Sequence, residues 1–129
     1  MLLLLSIILA SHCATSSPCD SLEGIYQLTE GPPKLSGNFV FNTEPPLFSI
    51  NLVYDGKPYV TGNVHYKMVP HQVARLHFCE LSITDYDEIP YYIQEVLGLQ
   101  MLSWSEGVLT LPVFFEGPEK PTPAQFKQQ

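Results

Sequence analysis

Positive charge is scarce in this chain: six Lys and Arg stand against thirteen Asp and Glu, a formal net charge of −7 at pH 7. The basic residues are scattered rather than grouped. Neutralising phosphates needs a group of them, so the composition argues against nucleic acid and anionic membrane surfaces as partners. No Asn-x-Ser/Thr triplet occurs, so N-glycosylation is not expected. Internal repeats are absent. Long apolar runs are absent too: the most apolar stretch, Met1–Ala10, is about half of what a bilayer span needs. No nucleophile elbow surrounds any Ser or Cys, so no enzyme is implied.

What is present begins with an export signature. Met1–Ala10 gives way to small and polar residues, Ser11 to Ser17, and Ala14 and Ser16 sit at the −3 and −1 positions of a cut before Ser17. Residues 1–16 therefore read as a signal peptide, although its start carries no Lys or Arg. His12 before Cys13 makes "LASHC" a poor lipobox. Removing Cys13 leaves Cys19 and Cys79, an even pair in an oxidising compartment. A disulfide between them would stabilise by about 3–4 kcal/mol in the chain-entropy model. The expected localisation is secreted or cell envelope.

Residues 17–116 are long enough for one domain with one core. Leu22–Thr29 reads as a strand stopped by Gly31-Pro32-Pro33, and Asn38–Asn42 as a second, short one. Leu47–Tyr54 is closed by Asp55-Gly56, a hairpin dipeptide. In "VHYKM", Val64, Tyr66 and Met68 share one face and His65 and Lys67 the other. Pro70 and His71 read as a turn. In "VARLHFCELSI" the apolar phase changes between Phe78 and Leu81, which predicts a bulge near Cys79. Residues 117–129, with three prolines and little apolar content, read as a disordered tail.

"TDYDEIPYYIQEVLG" interrupts the strands. Ile89, Tyr92, Ile93, Val96 and Leu97 follow helical spacing, which predicts one amphipathic helix over 88–97. Asp87 would be its N-cap, Pro90 would lie in its first turn and Gly98 would end it. "LQMLSW" and "VLTLPVFF" around Ser105-Glu106-Gly107 then form a terminal hairpin. The expected class is α+β: a strongly curved, mainly antiparallel sheet of about seven strands with this helix before the C-terminal hairpin.

That order of elements carries a resemblance. Together with "LEGIYQL" at Leu22–Leu28, "PLFSI" at Pro46–Ile50, "VTGNVHY" at Val60–Tyr66, "VARLHF" at Val73–Phe78, Thr84 and "GVLTL" at Gly107–Leu111, it resembles the META/HslJ-like domain of bacterial envelope and trypanosomatid META proteins. Gly24 and Tyr26 stand for the family's Gly-x-Trp/Tyr, and Gly62-Asn63 for its Gly-Cys-Asn turn; two family cysteines are missing. The resemblance implies a non-enzymatic envelope or secreted protein linked to secretion, stress or virulence, and no catalytic residues carry over.

The side chains capable of chemistry have plainer uses. His65, His71 and His77 with Cys79 and Glu80 lack the short paired spacing of zinc ligands. Asp85, Asp87 and Glu88 lack a calcium-loop glycine and suit helix capping. No metal or other cofactor is therefore expected. Aromatic residues are plentiful, and Tyr66, Phe78, Tyr92 and Trp104 could line an apolar cavity between sheet and helix, although aromatic strands more often pack one another. Two readings follow. The first is a non-enzymatic protein that acts on a protein partner through a sheet face or edge. The second is a carrier of a lipid or other small apolar molecule.

Overall fold

The computed structural model describes residues 19–129, so the expected signal peptide and its cleavage site lie outside the described residues. Nine strands are present among the described residues: β1 (Gly24–Glu30), β2 (Leu35–Asn42), β3 (Leu47–Tyr54), β4 (Lys57–Val60), β5 (Val64–Val73), β6 (Leu76–Ile83), β7 (Ser103–Ser105), β8 (Val108–Val113) and β9 (Thr122–Gln128). They pair antiparallel in the order β2-β1-β9-β8-β7-β6-β5-β3-β4. A further β2–β3 pairing joins the two sides, so every strand but β4 belongs to a closed ring. The expected antiparallel sheet is present, with more strands than expected and with closure.

Period-two alternation explains the core. Phe39 and Phe41 of β2, Phe48, Ile50 and Leu52 of β3, Leu109, Leu111 and Val113 of β8, and Ala124 and Phe126 of β9 are all buried, while their neighbours face outward. Phe39 meets Phe126 edge-on at 4.9 Å between ring centroids and lies 5.8 Å from Phe48. Phe41 packs between Tyr26 and Tyr66 at 5.3 and 5.6 Å. These rings fill the middle of the barrel. One position is reserved for glycine: Gly37 has φ 124, and a Cβ there would stand 2.0 Å from the Asn51 carbonyl oxygen on β3.

The expected disordered tail is corrected. Thr122–Gln128 forms β9, inserted between β1 and β8, with Ala124 and Phe126 on its inner side. Three prolines hide the alternation in the sequence. In the sheet Pro123 stands opposite Pro112 of β8 and leaves the rest of the ladder intact.

The single helix over 88–97 is also corrected. Only Tyr91–Gln94 (α1) is α-helical, between 3₁₀ turns at Tyr86–Glu88 and Leu99–Met101. The residue before a proline is pushed out of the helical region, and Ile89 is extended at φ −81, ψ 127. Pro90 becomes the N-cap in place of Asp87. At the other end the backbone leaves the helix to join the barrel: Gly98 N–H donates to the Pro112 carbonyl at 2.8 Å, and Leu97 bridges Val113. A Cβ at Gly98 would lie 2.6 Å from the Pro112 ring. The apolar stripe still works, because Ile89, Ile93, Leu97 and Leu99 are buried over the barrel end where β8 finishes, whereas Tyr92 stays largely exposed.

Two corrections concern β5 and β6. The chain does not turn at Pro70–His71; β5 continues to Val73, and the turn falls at Ala74-Arg75, with Ala74 at φ 56. Pro70 is tolerated because β3 pairs with β5 only at Val64 and His65, so the later part of β5 is an edge without need of that N–H. Nor does β6 bulge at Cys79: its pairing with β5 runs unbroken from Val73–Leu76 to Tyr66–Ile83. The register shift lies instead between β1 and β9, at Leu28/Glu30. The change of apolar phase has another cause. Cys79 and Leu81 face the core, while Leu76 and Phe78 sit on the opposite face of a part of β6 that has left the core.

Candidate interaction surface

The β5–β6 hairpin is eight residue pairs long, but only its base belongs to the barrel wall. β3 holds β5 at Leu47–His65 and Phe48–Val64, and β7 holds β6 at Cys79–Trp104 and Glu80–Ser103. Beyond those pairs the hairpin has no other strand beside it among the described residues. Residues 70–77 are all exposed, and Val73 and Leu76 at the tip keep 63% and 58% of their surface in solvent. Apolar side chains left in water at the end of a rigid two-stranded arm gain nothing from folding.

Polar contacts stiffen the arm. His71 Nε2 lies 2.8 Å from Glu80 Oε1 across the two strands, and the His71 ring stacks on Phe78 at 5.2 Å and 15°. At the base, His65 donates its backbone N–H to Asp85 Oδ1 at 2.9 Å, and its Nδ1 lies 3.0 Å from Asp85 Oδ2. Burial pushes the Asp85 carboxyl up, but the bonds from the His65 ring and N–H outweigh it and hold Asp85 below the usual carboxylate range. These side chains are divided among separate contacts: His65 with Asp85, His71 with Glu80, and Cys79 with Cys19.

The structure joins Cys19 and Cys79 in a disulfide, with Cα atoms 5.6 Å apart and 60 residues of separation. It ties the segment before β1 across the barrel end from which the hairpin projects. Leu22 follows it into the core and donates its N–H to Tyr66 Oη at 2.9 Å. Burial pushes the Tyr66 phenol up, and that bond draws it part of the way back. Trp104 Nε1 donates to Tyr26 Oη at 3.1 Å on the same rim. The disulfide fits an oxidising, extracellular type of compartment. No helix among the described residues is long and apolar enough to cross a membrane.

The four aromatics expected to line one cavity are not gathered. Tyr66 is core. Tyr92 lies at the opposite barrel end, 5.7 Å from the Tyr59 ring, with the Lys57 ammonium 5.3 Å from both rings. Phe78 and Trp104 alone come together, on the walls of an open groove of about 540 Å³ between the start of β6 and the β7–β8 turn. Arg75, Leu76 and His77 line the same groove, and Ser105 Oγ donates to the His77 carbonyl across it at 3.0 Å. Reading the sequence strand by strand missed this arm. Its signal was the phase change after Phe78, which marks where β6 leaves the core.

No protein-family model matches the chain, and no curated protein or solved structure is detectably similar to it.

Proposed function

We propose that this is an exported, non-enzymatic binding protein that engages a protein partner through the projecting β5–β6 hairpin. The observation that carries the reading is the exposure of Val73 and Leu76 on an arm whose outer strand edges are unpaired. Unpaired edges and apolar patches are the two features by which sheets recognise other chains. The Cys19–Cys79 disulfide and the apolar amino terminus support export. The resemblance to META-like domains would connect such a role with secretion, stress or virulence. Against the carrier reading stands the packing of Phe39, Phe41, Phe48 and Phe126 in the barrel interior, where a lipocalin-like ligand would sit.

The test is a photo-crosslinking side chain in place of Leu76, with the same probe at Glu119 as control, in protein returned to the fluid or cells that export it. A discrete crosslinked protein from position 76 alone, lost when Val73 becomes Ser, is expected. Equal labelling from both positions, or none from position 76, would sink the reading.

A further inference from the structure

The open groove beside the start of β6 has aromatic walls and a backbone donor turned toward it. Phe78, held by its stack on His71, stands on one wall and Trp104 on the other. Trp104 gives its Nε1–H to Tyr26 Oη, so it offers the groove ring surface and no donor. Between the walls runs the backbone of β6 at His77, whose carbonyl accepts from Ser105 Oγ at 3.0 Å. A residue of an antiparallel strand directs its N–H and C=O to the same side, so the His77 N–H faces the groove as well. Leu81, four residues on and in the same phase, donates its N–H that way, to the Leu102 carbonyl just before β7. No described strand reaches the His77 N–H, because β7 pairs with β6 only at Cys79 and Glu80.

Hydrogen-bond complement then selects an occupant. Arg75 of the hairpin turn and Glu106 of the β7–β8 turn line the groove and offset each other, so it favours no net charge. The occupant must bring aromatic surface and an acceptor, since the donor is unmet and the carbonyl beside it is taken by Ser105. Tryptophan, lysine and arginine side chains carry donors only, and phenylalanine or leucine would cover the N–H without pairing it. A carboxylate accepts but would lose its hydration between Phe78 and Trp104. A tyrosine phenol has the ring, accepts through Oη and keeps its own O–H for the Glu106 carboxylate.

We propose that this groove holds the side chain of a tyrosine of the protein partner, its Oη accepting the His77 N–H. Leu76 lines the groove and also belongs to the exposed tip, so a partner covering Val73 and Leu76 lies over the groove's mouth. The space, about 540 Å³, admits an aromatic side chain, yet it is too open to enclose a free small molecule as a ligand cavity does. The inference deepens the hairpin-docking reading and rests on it.

The test is amide-detected NMR of the isotope-labelled, disulfide-bonded protein. The probes are the N-acetyl amides of tyrosine, phenylalanine, tryptophan and leucine, each titrated separately. Two signals report on the groove: the indole N–H of Trp104, the only tryptophan, and the backbone N–H of His77. The tyrosine amide should shift both saturably and bind about five times more tightly than the phenylalanine amide, the worth of one hydrogen bond. His77→Ala keeps the N–H and should keep that preference. His77→Pro removes the N–H and should abolish it, at an edge position of the kind Pro70 already occupies in β5. Should the proline variant not fold, Ser105→Ala frees the His77 carbonyl and should raise the affinity for the tryptophan amide. Equal affinity for the tyrosine and phenylalanine amides, a preference that survives His77→Pro, no gain for tryptophan in Ser105→Ala, or shifts confined to other residues would overturn the proposal. If position 76 still crosslinks to a protein, such a failure removes only the tyrosine anchor and leaves hairpin docking standing. Loss of the crosslink removes both.

Discussion

The barrel wall around β9 and the tip of the β5–β6 hairpin are both antiparallel sheet, yet they use apolar residues in opposite ways. In the wall, β9 has a strand on each side, and its two inward residues, Ala124 and Phe126, are fully buried. At the tip, eight consecutive residues are exposed, and Val73 and Leu76, which face each other across the hairpin, stay more than half in solvent. Burial accounts for the residues of the wall. It does not account for those of the tip, and on that contrast rests our proposal that the tip serves a partner.

The comparison is sharpest at Phe126. Its ring is fully buried and meets Phe39 at the centre of the barrel, so Phe126→Ala should cost about 3–5 kcal/mol in urea unfolding, enough to leave a domain of this size marginal or unfolded. Deleting residues 122–129 should abolish the fold, since it leaves β1 and β8 without a neighbour between them. A folded, cooperative truncated protein would mean that β9 is the dispensable tail its composition suggests.

The disulfide comes next. Cys19→Ser with Cys79→Ala should lower stability by about 3–4 kcal/mol, because the bond closes a loop of 60 residues at the end where the arm leaves the barrel. Tryptophan emission should shift to the red in that variant as the Trp104 rim loosens. An unchanged urea midpoint would show that the wall holds this end unaided.

How much of this was legible in the sequence varies with the physics of each element. Leu47–Tyr54 and Asp55-Gly56 were readable because local alternation and turn chemistry decide them; Asp55 and Gly56 take the expected positive φ values, 51 and 81. The pairing of Cys19 with Cys79 followed from cysteine arithmetic. The helix over 88–97 failed in extent, because Pro90 and the pull of Gly98 toward Pro112 outweighed the apolar period. β9 is hidden because Pro118, Pro121 and Pro123 mask its alternation and one of its two neighbouring strands is more than 90 residues away, where Leu28 pairs with Phe126. The groove was half legible: Phe78 and Trp104 were named, but their partners Arg75, Leu76 and His77 are brought to them by strand pairing that composition cannot reveal.

A smaller effect is expected where the arm meets the wall. Asp85 has its pKa lowered in the folded state, so its contribution is present above the ordinary carboxylate pKa and is lost as pH falls through the folded value. Urea midpoints should therefore decline as pH falls below about 5, and Asp85→Asn should flatten part of that decline. Identical slopes for the two proteins would show that the His65–Asp85 contact contributes nothing to the fold.

The measurement that tests the central claim most directly is the urea unfolding of a Val73→Ser, Leu76→Ser double variant beside the parent protein. If the tip serves a partner rather than the core, stability should stay within about 0.5 kcal/mol, as for surface substitutions, with the unfolding slope unchanged. A loss of about 2 kcal/mol or more would show that these side chains are buried in the folded molecule and would contradict the division between wall and arm.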